Sequence, residues 1–371
     1  MADQEGRGGL CTPTRWRLIA SGVLLAACPL LVLLFERFGE ALSGGYRPFS
    51  KGLLSLQATV ASVAPFALWD FLVVGFALAA LFTLVRRVVR RRPLLPWLSV
   101  VLLVNSATLF LFVSGWALNH YAPSLANEIG LEVGAYTDDE LAAATRHYLE
   151  RAAALAPSVH RGEDGELLRQ DFYELARIAG GSYRELSESY GIFEGSQVPV
   201  KALLLLGEPL LLSGHVGIFF SPTGESSVPV NCAVADLPFT MCHEAAHRLA
   251  IAREQEANFA AFLACTTSDD VRFSYSGYYS AFSFCYGALR RSDPDRAARL
   301  LDEVRTSGLD AGVGLVLADL VATGRHYDAY EGWFGRVGSA VNDGYLRSFG
   351  EREGVKSYGL VVDYLIAWDR R

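Results

Sequence analysis

Several things are scarce in this 371-residue sequence, and each scarcity narrows the possibilities. Basic charge is not in surplus: 33 Lys and Arg against 40 Asp and Glu leave a net charge of −7. The basic footprint that nucleic acid requires is therefore missing, and nucleic acid is not an expected partner. Six cysteines in a chain of this length make no disulfide framework. Cys11 and Cys28 fall in or near the first apolar segment, and Cys242, Cys265 and Cys285 fall in apolar helical patterns, where small buried thiols belong. Histidine is sparse too, with seven residues, and there is no internal repeat or low-complexity tract. What is plentiful is apolar surface. At 51% hydrophobic residues, the composition is high for a wholly soluble protein and predicts a membrane portion.

Three apolar runs have spanning length, about 18–35, 66–85 and 98–118, each near the ~20 residues that a bilayer core requires. No small-x-small cleavage site follows Phe35, so the first run reads as an uncleaved helix and not as a signal peptide. Arg86, Arg87, Arg90, Arg91 and Arg92 crowd the short link between the second and third runs, and Arg15 and Arg17 precede the first. The positive-inside rule then puts the N-terminus in the cytoplasm and everything after Leu118 outside it. Trp16, Trp69, Trp97 and Trp116 fall near predicted span ends, where amphipathic rings prefer the interface. Asp70 reads as an interfacial residue at the outer end of the second span. The apolar stretch from Lys51 to Pro65 reads as lying along the outer surface. Almost no polar residue falls inside the spans, which argues against a transporter.

The composition changes after residue 120, dividing the chain into a membrane domain (1–120) and an extracytoplasmic domain (121–371). Thr137 and Glu140 form a capping box that opens a helix to about Ala154. A second helical stretch, roughly Leu167 to Tyr190, is interrupted at Gly180-Gly181. Short strands are expected at Lys201 to Leu206, Val216 to Phe220 and Val228 to Val230, the last two as a hairpin through residues 221–225. From Pro238 onward the pattern is helical, with breaks near Ser268 to Asp270, Ser292 to Pro294 and Thr323-Gly324. The fold class is thus mainly α, with a small β-hairpin ahead of the segment that carries the chemistry.

That segment is His243-Glu244-Ala245-Ala246-His247. Two histidines four apart share one helix face and can reach one metal ion, while the intervening glutamate faces a water beside it, which is the HExxH arrangement of zinc peptidases. His243 and His247 would bind Zn²⁺ as neutral imidazoles, and Glu244 would act as general base toward the attacking water. Asp236 is placed to cap the helix, and Pro238 fits its first turn. The third ligand should be a carboxylate, Glu254 or alternatively Glu256. On an unbroken helix Glu254 would lie two turns and about 10 Å beyond His247, so the chain must turn back between Arg248 and Arg253. Neither glycine nor proline marks that turn. Asn258, four residues after Glu254, is placed to support a histidine ligand from behind. Among Tyr275, Tyr278 and Tyr279, Tyr278 is the candidate oxyanion donor. Arg253 reads as a surface residue, His215 as a loop residue near the cleft, and His120 carries no local motif of its own.

The segments Leu118-Asn119-His120-Tyr121, Phe239 to His247, Arg253 to Phe259, Tyr275-Ser276-Gly277-Tyr278 and Val355 to Gly359 together resemble the DUF3810 family of bacterial membrane proteins. The three-span layout agrees. The resemblance implies a bacterial cell-membrane protein and a zinc peptidase whose function is inferred from the HExxH motif. The family commonly carries glycine three residues after the second histidine, where this chain has Ala250. The Arg253-Glu254-Gln255-Glu256-Ala257-Asn258 segment also looks like that of the phage-repressor-cleaving ImmA type of peptidase and of membrane peptidases related to Ste24, which implies a glutamate-type zinc site in a zincin-like domain. The expected activity is hydrolysis of a peptide or protein substrate at the outer membrane surface. The competing expectation is a non-catalytic zinc-binding sensor or cell-envelope interaction protein, with a closed site of four protein ligands.

Overall fold

The computed structural model describes residues 11–349 and 360–371; the Val355 to Gly359 segment lies outside the described residues. The protein is mainly helical with one small sheet. It opens with α1 (Thr12–Ala61), α2 (Leu68–Val89) and α3 (Leu95–Gly115). The three expected apolar runs fall largely on these helices, but α1 starts at Thr12 and continues well past residue 35, to Ala61. Its later part docks on the rest of the chain. Arg47 pairs with Glu128 at 2.6 Å, Lys51 Nζ donates to the Ile192 carbonyl at 2.5 Å, and Gln57 donates to the Pro222 carbonyl at 3.1 Å. Polar residues continue the helix there because they have partners to reach. A 3₁₀ turn at Ala117–Tyr121 follows α3.

The helices α4 (Leu125–Ile129), α5 (Asp138–Leu155), α6 (Phe172–Gly181) and α7 (Arg184–Ser189) come next. The capping box of Thr137 and Glu140 is present at the start of α5. The sheet comprises β1 (Lys201–Leu203), β2 (Ile218–Phe220) and β3 (Glu225–Pro229), with α8 (Gly207–Leu212) between β1 and β2. The strand order is β1-β3-β2; β2 and β3 form the antiparallel hairpin, and β1 lies parallel to β3. The first strand stops at Leu203, short of the expected Leu206. The reason is Asp70, whose carboxylate accepts the backbone N–H groups of Leu204, Leu205 and Leu206 at 2.8–3.0 Å. Asp70 is fully buried, so it is a docking residue and not merely an interfacial one. On its outer side β1 is bridged by Phe66, whereas β2 is the free edge among the described residues.

The remaining helices are α9 (Leu237–Arg248), α10 (Glu254–Thr266), α11 (Val271–Ser292), α12 (Pro294–Val304), α13 (Asp310–Asp328), α14 (Trp333–Ser348) and α15 (Val361–Asp369). The expected break at Thr323-Gly324 is absent. A single glycine costs a helix about 1 kcal/mol without ending it, and α13 runs through it to Asp328. The true interruption lies between α12 and α13, where Gly308 has φ 96°. The main core gathers around α9 and α10, which are buried along nearly their whole length. Among the described residues, four helical stretches are long and apolar enough to cross a membrane: Thr12–Ala61, Leu68–Val89, Leu95–Tyr121 and Pro294–Asp328.

Candidate metal centre

Helix α9 is held in place from several sides before any ligand is considered. Ser226 Oγ of β3 donates to the Glu244 carbonyl at 2.6 Å, and the Tyr183 hydroxyl donates to the Cys242 carbonyl at 2.9 Å. Its N-terminus is not capped by Asp236, which has helical backbone angles and no side-chain cap bond. Ser276 of α11 does that work, accepting from the Phe239 N–H at 3.1 Å while donating to the Ala235 carbonyl at 2.6 Å. Pro238 does sit in the first turn. The far end closes by a left-handed turn: the Ala250 N–H donates to the His247 carbonyl and the Ile251 N–H to the Ala246 carbonyl, with Ala250 at φ 64°. This is a Schellman motif with alanine at the position that glycine usually fills. It turns the chain back so that α10 begins at Glu254.

The turn brings Glu254 to the histidines. His243 Nε2 lies 3.2 Å from Glu254 Oε2, His247 Nε2 lies 3.8 Å from Glu254 Oε1, and the two Nε2 atoms are 3.1 Å apart. The other ring nitrogens are occupied. His243 Nδ1 donates to Asn258 Oδ1 at 2.8 Å, and His247 Nδ1 donates to the Ile251 carbonyl at 2.8 Å. A carbonyl oxygen only accepts, so Nδ1 carries the proton on His247, and Asn258 sets the same tautomer on His243. Both Nε2 lone pairs then face each other and a carboxylate. Three acceptors converging without a donor repel one another unless a cation or a proton lies among them. The donor set, two neutral imidazoles and one carboxylate within 4.8 Å of one another, therefore fits a divalent metal ion.

Glu256 faces elsewhere. It is buried against Arg253 Nη1 at 2.9 Å and the Tyr364 hydroxyl at 3.2 Å. Arg253 is not a plain surface residue: it also donates to the carbonyls of His120 and Ala122, tying the start of α10 to the end of the 3₁₀ turn.

Glu244 lies against the same cluster, with Oε2 buried and lacking a hydrogen-bond partner. Burial pushes its carboxyl up to about 8. Burial also works to raise Glu254, but His247 and His243 together hold that carboxyl down to about 2. Burial pushes His247 down to about 4; for His243 the opposing pull of Glu254 prevails and raises it.

These groups open onto a cavity of about 880 Å³ lined by His243, Glu244, His247, Glu254 and Asn258 together with residues 215–219, the end of α3 and one face of α14. Three contributors have no motif in the sequence. Gly217 approaches Glu244 so closely that a Cβ there would strike the carboxylate. Trp116 Nε1 donates to the His247 carbonyl at 2.9 Å. Tyr345 lines the cavity, with its hydroxyl 3.1 Å from His120 Nε2. His215 lines it as well and hydrogen-bonds Ser213 at 2.9 Å. Tyr278 does not: its hydroxyl accepts from Arg151 Nη2 at 3.3 Å. Tyr275 and Tyr279 are buried and turned toward α13, with hydrogen bonds to Asp319 and Thr323. The sequence places all three tyrosines soon after the metal-site segments without revealing which way they point.

The model of the family described as "Protein of unknown function (DUF3810)" matches residues 46–366. No curated protein and no solved structure matches.

Proposed function

This chain belongs to the DUF3810 family, and from that premise we propose that it is a membrane-anchored zinc metallopeptidase. His243, His247 and Glu254 would hold the metal, with Asn258 fixing the orientation of His243. The observation that carries the reading is the pair of Nε2 lone pairs turned toward Glu254, with the unpartnered Glu244 Oε2 beside them. Zinc bound there would supply Lewis-acid polarisation of a peptide carbonyl and of a water. Glu244 takes the proton of the attacking water at Oε2 and delivers it to the leaving nitrogen. Gly217 keeps the space over that carboxylate free of side chain. The free edge of β2 flanks the cavity, and its backbone can bind an extended peptide by strand addition.

The proposal includes three spans, α1 to α3, with the N-terminus and the arginine-rich α2–α3 link in the cytoplasm and a zincin-like domain from about residue 121 outside it. The fourth apolar stretch, Pro294–Asp328, belongs to that domain. It is interrupted at Gly308, and its buried Asp319 pairs with Arg161 at 2.7 Å. The substrate class is a polypeptide at the outer membrane surface. An accessible cavity beside three ligands favours catalysis over a closed, purely structural site of four ligands.

The test uses the full-length protein in lipid nanodiscs, with zinc content measured by elemental analysis and cleavage measured on a mixed peptide library by mass spectrometry. Stoichiometric zinc is expected. Glu244→Gln should retain the metal and lose cleavage by about 10²–10⁴-fold. A metal-free protein, or a Glu244→Gln variant that cleaves at the parent rate, defeats the reading.

A further inference from the structure

Helix α14 presents three distinct faces. One packs inward: Leu346 is fully buried, and a Cβ on Gly338 would collide with the Ser213 carbonyl. A second carries Arg336, Asp343 and Arg347, with Arg347 Nε 2.6 Å from Asp343 Oδ2. The third is a stripe at four-residue spacing, Trp333, Val337 and Val341, exposed by 61%, 50% and 68%. An exposed apolar stripe beside a charged one is the pattern of a helix lying in a membrane interface.

The neighbours say where that stripe lies. Tyr345 of α14 and Phe349 just beyond it meet Phe112, one turn from the end of α3, with ring centroids at 5.8 Å and 6.2 Å. The exposed Leu204 and Leu205 sit on the loop that Asp70 holds at the first turn of α2. The start of α2 and the end of α3 are the span ends on one side of the membrane. The C-terminal end of α14 therefore abuts the end of α3, which sets the helix at the level where the headgroups of a bilayer crossed by α2 and α3 begin.

We propose that α14 lies in the headgroup region of this leaflet, with Trp333, Val337 and Val341 contacting acyl chains, so that the cavity it walls opens at the lipid surface. The occupant of the stripe is the bilayer itself. Val341 and Tyr345 also line the cavity, so a polypeptide reaching the site arrives along the membrane surface. The proposal rests on α2 and α3 crossing the bilayer. Lipid contact by α14 does not depend on the metal or on peptidase activity.

The test places nitroxide labels at Val337→Cys, Val341→Cys and Arg347→Cys, and at Leu78→Cys in α2 as a reference, in the full-length chain in nanodiscs. The background is Cys11→Ser, the other cysteines being buried. Labels at 337 and 341 are expected to favour oxygen over a water-soluble nickel chelate as the Leu78 label does, with the Arg347 label favouring nickel. Nickel preference at 337 and 341 with oxygen preference at Leu78 overturns the proposal. So does shielding from both reagents at 341, which would place a second copy or a protein partner on the stripe. Nickel preference at Leu78 removes the spanning premise and the proposal with it. Quenching by brominated lipids provides a second readout without labels: the quenched emission should fall in Trp333→Phe, and unchanged quenching counts against lipid contact.

Discussion

Ala250 turns the chain at the step on which the candidate centre depends. Its φ of 64° costs an L-residue roughly 1–2 kcal/mol relative to the right-handed region, and the two hydrogen bonds of the Schellman turn offset part of that cost. Ala250→Gly relieves the backbone strain while losing one buried methyl group, so its unfolding free energy should stay within about 1 kcal/mol of the parent. Ala250→Val puts a β-branched side chain at positive φ and should lose about 2 kcal/mol or more, with weaker zinc binding because Glu254 is displaced. Thermal unfolding and a zinc titration read both effects. Asp236 offers a second check. Burial pushes its carboxyl from 3.8 up to about 6, so the folded state prefers the protonated form. The stability this contributes is complete below pH 3.8 and is lost as pH rises through 6. Asp236→Asn should therefore be more stable than the parent by about 1–3 kcal/mol at pH 8 and equal to it near pH 3.5, as read from paired unfolding curves. The helix-start pattern that suggested Asp236 as a cap was legible in sequence. That Ser276 takes the role was not, because it is 37 residues from Phe239 in the chain and reaches it only through the packing of α11.

Helix α2 and the sheet are joined by a reciprocal pair of carboxylates. Asp70 of α2 accepts three N–H groups that would otherwise extend β1, and Glu225 of β3 accepts the N–H groups of Leu68 and Trp69 at the start of α2. Trp69 stacks on Phe220 of β2 with ring centroids 4.8 Å apart. The sheet is thus fixed to the start of α2, while Ile218 and Phe219 of β2 line the cavity. Removing the Asp70 carboxylate leaves several partly buried donors unpaired, so Asp70→Ala should destabilise the protein by about 2–4 kcal/mol, with Asp70→Asn less severe because one oxygen still accepts. Unfolding midpoints in one detergent would check the order; equal midpoints for both variants would contradict it. Period-2 and turn patterns located β2 to within two residues and β3 to within three, since hairpin signals are local. The extent of β1 was not readable, because its end is set by a carboxylate more than 130 residues earlier.

For the molecule as a whole, the candidate centre ties together segments that start far apart: the end of α3 through Trp116, the sheet through Gly217 and Ser226, and the α9–α10 turn. A ligand that binds only the folded state stabilises it by mass action, by about 4 kcal/mol at a thousand times Kd. Chelation should therefore lower the unfolding temperature of the parent protein, and zinc should restore it. In His243→Ala chelation should produce a much smaller shift. A chelator effect of equal size in both proteins would mean that the metal sits elsewhere.

The sequence alone determined the composition of the site: His243, Glu244 and His247 on one helical face, a carboxylate and Asn258 one turn apart on the next helix, and apolar runs of spanning length ahead of them. These are consequences of residue type and of helical or bilayer periodicity, which act over a few residues. Tertiary structure decided which carboxylate faces the histidines, that Tyr278 faces away from the cavity, and that Gly217, Trp116 and Tyr345 border it. Side-chain direction at those positions depends on how helices and strands distant in the chain pack together, and spacing along one element carries no information about that packing.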